Sequence, residues 1–490
     1  MHVGTAGLSS QDWPSLSSTL SFVREALGEG DLVLSPLERG EPLPKNLDVV
    51  LNFSGNVGWD LLAGHREFPI AFFAHGGCML NRGFIRRHLH HFRPGDTFIV
   101  QSSADEDVLA AMVDNPRPFV RRLALPVDTE LFTPVGRASA RGELKLDDDV
   151  FCVGIVSRLL PQKNIHGAIE VFAELVKRNP GKRFRLVILG TFWKSYRILR
   201  FDETPYAQVL RETIERLGVM PLVTYIPADL SRQEVARAYR AFDVLLHTTN
   251  SIDENYGWAP VEAMASGVPV VGCAYGGLKD TVVDGRTGYL AATWLSLAGI
   301  REDRSELLRG LTTLLHDPKT RERFANEGRQ RVIEQFSPAP CKQQLRGILR
   351  DARDAWVDSE DPSAMLVREE PDLARYDRHL TAAHDRVSDY AGSLLHYVSR
   401  PVPTASDRAY LRRVEHLVYD RSSGIGRLAN PAWPAVYELQ PDQCDALADC
   451  TDAVDGRALV ERHGEALVDR LLELGLLVPQ RYPQVADLPT

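Results

Sequence analysis

Between residues 150 and 274, five short apolar runs, VFCVGIVSR, RFRLVILG, LVTYIP, DVLLHTT and VPVVGCA, are separated by stretches with helical periodicity such as NIHGAIEVFAELVKR and SRQEVARAYRAF. Runs this short and this uniformly apolar fit parallel strands buried on both faces. Parallel neighbours cannot be joined by tight hairpins, so each strand needs a crossover, normally a helix. The alternation therefore predicts a doubly wound α/β domain.

An earlier series repeats the pattern. DLVLSPL, LDVVLNFSG, PIAFFAHGG and DTFIVQSS are strand-like, with the helical stretches LSSTLSFVREAL and ADEDVLAAMV among them. A chain of 490 residues is too long for one core. The expected fold class is α/β, with two doubly wound, Rossmann-like domains facing a cleft. The charged, Gly-containing segment PVGRASARGELKLDDD links the two series. After about residue 355 the pattern changes to charged helices, and from AVYELQ onward it reads as a strand, three short helices and a last strand. The expected domains are 1–134, 135–355, a mainly helical extension over 356–433, and a terminal module over 434–490.

The formal net charge of −9 disfavours nonspecific nucleic-acid binding. Residues 434–490 hold 11 acidic and 4 basic side chains, which argues against a DNA groove there. A local basic patch, RRHLHHFR at 86–93, reads either as a solvated helix face or as a helix that meets an acceptor or a membrane surface. No apolar run approaches the roughly 18 residues that a spanning helix needs, and the N-terminus lacks the pattern of a secretory signal. The six cysteines form no CxxC pair and no metal-ligand spacing, so reduced thiols and a cytoplasmic location are expected.

Ligands of open α/β sheets bind beyond the carboxyl ends of the strands. The stretch ENYGWAPVEAMASGVPVV at 254–271 stands at such an edge, after the strand DVLLHTT. Gly257 lets the backbone turn and approach a ligand, and Pro260 is tolerated because it falls in a first helical turn. Backbone N–H groups near Trp258 and Ala259 form an anion site aided by the helix dipole. Glu254 and Glu262, on either side, can accept hydrogen bonds from hydroxyls. Hydroxyl, diphosphate, hydroxyl is the layout of a nucleotide sugar.

The chain resembles retaining glycosyltransferases of the GT4 family, which have the GT-B fold. Four segments carry the resemblance in order: GIVSRLLPQKN at 154–164, LVILG, ENYGWAPVEAMASGVPVV, and GGLKDTVVDGRTGYL at 276–290. AHGG at 74–77 and LPVDTELFTP at 125–134 are similar more loosely. The resemblance implies that Arg158 and Lys163 face the leaving diphosphate, that Glu262 holds the ribose hydroxyls, and that Glu254 contacts the donor sugar. It also puts His75 in the cleft against the donor sugar or phosphate, and Ile226 joins Gly257, Trp258 and Ala259 on the nucleotide side. It implies retention of configuration with no protein nucleophile. No DxD-like motif calls for a metal, and no cofactor is required beyond the nucleoside-diphosphate sugar, expected to be UDP-linked. The terminal module is similar in pattern to PqqD-like winged-helix modules that bind peptides.

The expected acceptor is a small molecule or a peptide. Arg outnumbers Lys 48 to 9, a bias of high-GC bacteria, which suits antibiotic or other natural-product biosynthesis. Cell-envelope glycolipid or polysaccharide synthesis, and a binding protein with an inactive core, stay open as alternatives. One departure from the family is the long insertion TFWKSYRILRFDETPY at 191–206. Trp193, Lys194, Tyr196, Arg197 and Arg200 there suit a nucleotide cap, an anionic acceptor site or a plain surface excursion.

Overall fold

The computed structural model describes residues 1–7, 14–29, 32–53, 57–62, 64–79, 82–113, 120–192, 206–227, 231–356, 388–407 and 410–480. They form two compact units. The first comprises residues 1–129, 253–258 and 331–371, and the second comprises 130–252, 259–330 and 372–490.

The first unit holds a six-stranded sheet of β1 (His2–Ala6), β2 (Val33–Pro36), β3 (Val49–Asn52), β4 (Ile70–Phe73), β5 (Thr97–Val100) and β6 (Val120–Arg122). Its order is β2-β1-β3-β4-β5-β6, all parallel. β3, β4 and β5 are buried along their whole length, as their uniform apolar runs predict. β1 was not expected. Only Val3 and Ala6 of HVGTA are strongly core-forming, and Gly4 lies where a side chain would crowd Leu37 and Val50. The helix Pro338–Asp354 also belongs to this unit, burying Leu345 and Leu349 and setting Lys342 within 2.7 Å of Glu29.

The second unit is built on β7 (Val150–Val156), β8 (Arg183–Gly190), β9 (Val223–Pro227), β10 (Val244–His247), β11 (Val270–Cys273) and β12 (Gly288–Ala291). The order is β12-β11-β10-β7-β8-β9, again all parallel. Numbered from its own first strand, this is the Rossmann order, and its direction reverses between β7 and β10. The core between sheet and helices includes Phe172, Leu186, Leu246, Leu311 and Phe324, all almost fully buried.

The C-terminal part of this unit departs from the helical expectation for 356–433. Its described residues hold the α-helix Ser388–Tyr397, a 3-10 turn, Ala405–Asp407, and then β15 (Tyr410–Arg413), β16 (Leu417–Asp420) and β17 (Ile425–Leu428). Each strand is four residues long, too short for its period to stand out from a charged background. Beyond 434 the expected strand, three helices and last strand are present: β18 (Ala435–Glu438), the helices Pro441–Asp449, Gly456–His463 and Glu465–Glu473, and β20 (Leu477–Gln480). A two-residue strand, β19 (Val454–Asp455), was not foreseen. β15 pairs with both β19 and β20 in one three-stranded sheet, and β18 pairs with β17 in a second with β16, so strands from before residue 434 complete both sheets of the terminal module.

This part is docked on the Rossmann body by an antiparallel hairpin, β13 (Thr293–Ser296) and β14 (Gly299–Glu302). Leu297 N donates to Glu473 O at 2.8 Å, and Arg301 Nε donates to Gly475 O at 3.1 Å. Gly299, at φ 103°, leaves no room for a side chain because the Trp433 ring lies against it. Among the described residues no helix is long and apolar enough to cross a membrane. All six cysteines are buried free thiols.

Candidate functional site

The reversal between β7 and β10 means that the segments after these strands leave in opposite directions and leave space at the sheet edge. After β7 the chain runs through Arg158 into a single 3-10 turn, Pro161–Lys163. Ser157 N donates to Leu189 O at 3.1 Å and Leu159 N to Thr191 O at 2.9 Å, so β8 guides this segment. Gly190 ends β8 directly against it. A methyl group at Gly190 would collide with the Ser157 carbonyl oxygen, which explains the glycine that closes LVILG. Gly190→Ala should therefore lower stability by about 1–3 kcal/mol, the usual range for overpacking against unyielding neighbours. Thermal unfolding of the variant checks this.

The turn is pinned from the β10 side as well. Asn250 N donates to Gln162 O at 3.0 Å, and Thr248 Oγ1 donates to Asn164 O at 2.9 Å. Asn164 takes the left-handed conformation, φ 52°, as the chain enters the helix Ile165–Arg178. Lys163 is only 9% exposed and Arg158 is half-buried. Both expected cations thus sit on one short segment whose backbone is fixed at both ends.

Glu262 lies in the second turn of the helix Trp258–Ala265, half-buried. Tyr239 donates to its Oε2 at 3.1 Å. Burial pushes its carboxyl up to about 7, and the Arg232 charge and the Tyr239 hydrogen bond only partly oppose that. Ile226 lies half-buried on β9, the edge strand two places from β7. Tyr239 and Arg232 were missed at the sequence level because both stand in an ordinary amphipathic helix, SRQEVARAYRA, with nothing to distinguish them.

The segment 253–258 groups with the first unit. Asn255 Nδ2 donates to Gln101 Oε1 at 2.8 Å, and the Tyr256 hydroxyl bonds the Leu125 carbonyl. Glu254 is buried in this segment, and Gly257 takes φ 86°, a conformation that favours glycine. Trp258 and Ala259 open the helix as expected.

His75 follows β4 and precedes Gly76 and Gly77, at φ 77° and 88°, which turn the chain away. Its ring is 5.8 Å from that of Phe53, and its Nδ1 is buried with no hydrogen-bond partner. Burial holds the imidazole down at about 4, with the Asp253 carboxylate pulling the other way. The ring is therefore neutral at neutral pH, with a polar atom left for a ligand. Asp253 stands in the NSIDEN loop, but no motif distinguishes it there.

Trp193, Lys194, Tyr196, Arg197 and Arg200 of the insertion lie outside the described residues. The RRHLHHFR patch forms the end of a helix, Arg82–His88, and a 3-10 turn, Leu89–His91. Among the described residues no group of three or more His, Cys, Asp or Glu is arranged to hold a metal. A cavity of about 340 Å³ in the second unit lies against the C-terminal strands and includes neither Lys163 nor Glu262 in its lining.

Residues 136–331 match the family described as glycosyl transferases group 1. The chain is 32% identical over 274 residues to a D-inositol 3-phosphate glycosyltransferase of Frankia alni, an alignment covering 56% of this chain and 61% of the relative. It is 29% identical over 261 residues to the enzyme of that name from Saccharomonospora viridis, covering 53% of this chain and 57% of the relative. The alignments thus span about three fifths of those relatives. Among solved structures, HepE of Anabaena, in complex with UDP and glucose, superposes with a TM-score of 0.53 at 17% identity over 71% of this chain and 99% of its own. Sucrose-phosphate synthase of Thermosynechococcus elongatus gives 0.56 at 18% identity, over 72% and 100%. The two parallel-sheet units are thereby matched in fold to GT-B structures, and residues 136–331 of this chain are similar to the glycosyl transferases group 1 family.

Proposed function

We propose that the chain is a retaining glycosyltransferase that moves a sugar from a nucleoside-diphosphate sugar, UDP-linked, to an acceptor hydroxyl. The observation that carries this reading is the pinned turn at the β7–β10 reversal, which holds Lys163 in place within the segment similar to the group 1 family. In this reading Arg158 and Lys163 meet the diphosphate as negative charge grows on it, and fixed cations stabilise that growth. Glu262 accepts from the ribose hydroxyls, aided by Gly257, Trp258, Ala259 and Ile226 around the nucleotide. Glu254 and the neutral His75 bond the donor sugar. The bond from the anomeric carbon to the diphosphate breaks, the acceptor oxygen bonds on the same face, and the acceptor proton passes to the leaving phosphate.

The names of the relatives make D-inositol 3-phosphate the first acceptor to try, with natural-product and cell-envelope hydroxyls next. The strand and helix order of 434–480 supports keeping the winged-helix-like reading of that module as a proposal. Calorimetric titration with UDP, GDP, ADP and dTDP, on the wild type and on Glu262→Ala, tests the donor site. Binding of one nucleotide, weakened by the substitution, is the expected result; binding of none would overturn the reading.

A pH dependence follows from Glu262. Ribose hydroxyls donate to the ionised carboxylate, so the nucleotide lowers the carboxyl pKa from about 7 and binding releases a proton. UDP affinity should therefore rise from about pH 6 to about pH 8 and then level off. Glu262→Gln should flatten that rise. His75, held at about 4, does not change charge in this window. An affinity that falls with pH would mean that the protonated carboxyl is the binding form.

A further inference from the structure

Asn164, next to Lys163, is tied to a distant part of the chain. Its Nδ2 donates to Glu302 Oε1 at 3.1 Å. Gly167 makes this possible, because a side chain there would crowd the Asn164 amide. Glu302 ends β14, and Arg304 Nε donates to the same Oε1 at 3.2 Å. Arg304 Nη1 donates to Glu170 Oε2 at 2.7 Å, on the helix that starts just after Asn164.

The other end of this chain of contacts lies in the C-terminal part, outside the matched group 1 domain. Arg304 pairs with Glu415, and His416 Nε2 stands 2.9 Å from Glu170 Oε1. His416 has φ 64°, a conformation that a histidine adopts only where its surroundings hold it. Ala429 N, donating to the His416 carbonyl at 3.0 Å, supplies part of that hold. Arg304, Glu170 and Glu302 are all little exposed, so the loss of one partner leaves its neighbours short of charge compensation.

We propose that the corner at Glu415 and His416 is a positioning element for Lys163, acting through Arg304, Glu302 and Asn164. In this arrangement the C-terminal part braces the turn that presents the diphosphate-facing cation. The proposal rests on the donor-site reading for its functional meaning, but the brace itself can be measured without a donor.

The test uses the full chain carrying Glu415→Ala with His416→Gly, and His416→Gly alone as the milder variant that keeps the left-handed backbone. Hydrogen exchange of the Lys163 and Asn164 amides, which donate to Leu160 and Pro161 carbonyls, should speed up while the core strands stay protected. UDP affinity should fall by about fivefold, a size common for coupling through side-chain networks. In a Lys163→Ala background that loss should vanish, because the double-mutant cycle isolates what passes through Lys163. Unchanged exchange at those two amides, or the same affinity loss in both backgrounds, would overturn the brace. If the wild type binds no UDP, the donor-site reading falls and the exchange result alone decides on the brace.

Discussion

Lys163→Ala should lower turnover of the sugar donor by roughly 100- to 1,000-fold, the loss seen when one preorganised group is removed from a developing anion. The size of the effect comes from fixation. Lys163 ends a turn held by Asn250 and Thr248, and its side chain is nearly buried, so little reorganisation is needed when the diphosphate leaves. Lys163→Arg should recover only part of the rate, because a planar fork does not replace a compact ammonium in a shaped site. Single-turnover release of the nucleoside diphosphate, read beside a thermal melt, separates this from a folding defect. A melt lowered in step with the rate, with normal turnover per folded molecule, would assign Lys163 to structure instead.

Asp96→Ala should destabilise the first unit by about 3–5 kcal/mol, the cost of breaking a buried ion pair from one side. Asp96 and Arg66 are both fully buried, with Nη1–Oδ1 and Nη2–Oδ2 separations of 2.7 and 2.5 Å. Asp96 also accepts from the backbone N–H groups of Ile70 and Arg93, each at 2.8 Å. The substitution would strand one guanidinium and two amides in the interior. Ile70 begins β4, the strand that leads to His75, so the damage falls on an element that carries a candidate site residue. Arg66→Met combined with Asp96→Ala should cost less than the sum of the two single changes, since no unpaired charge remains. Chemical denaturation of the three variants measures this, and additive losses would refute the argument.

The parts of the fold that were legible in the sequence share a property: they are long or uniformly apolar. β7 and β8 are seven and eight residues long and mostly buried, and both stand out as runs. β1 does not, because HVGTA has only Val3 and Ala6 as apolar residues, and its place in the sheet is set by pairing with β2 and β3. The C-terminal strands were hidden for a related reason. In β16 only Leu417 is buried, and the next residue, Val418, is apolar yet 71% exposed, so no alternation of apolar and polar residues marks it.

The candidate site divides in the same way. Gly257, Pro260 and Glu262 are readable because turns and helix starts demand particular residues at fixed spacing, and such demands are local, whereas Lys163 and Gly190 stand out only through the family resemblance. The grouping of 253–258 with the first unit depends on Gln101 and Leu125, more than 100 positions away. The neutral state of His75 and the raised carboxyl of Glu262 depend on burial, which the surrounding chain decides. The tie from Asn164 to Glu302 spans 138 positions. By itself, then, the sequence determined the two parallel sheets and the edge segments with their chemistry, because strand period, glycine freedom and proline geometry act within a few residues. Only the tertiary structure decided which charges face one another, which ring is held neutral and which part of the tail meets Arg304 and Glu170, because long-range contacts and loss of water set those energies.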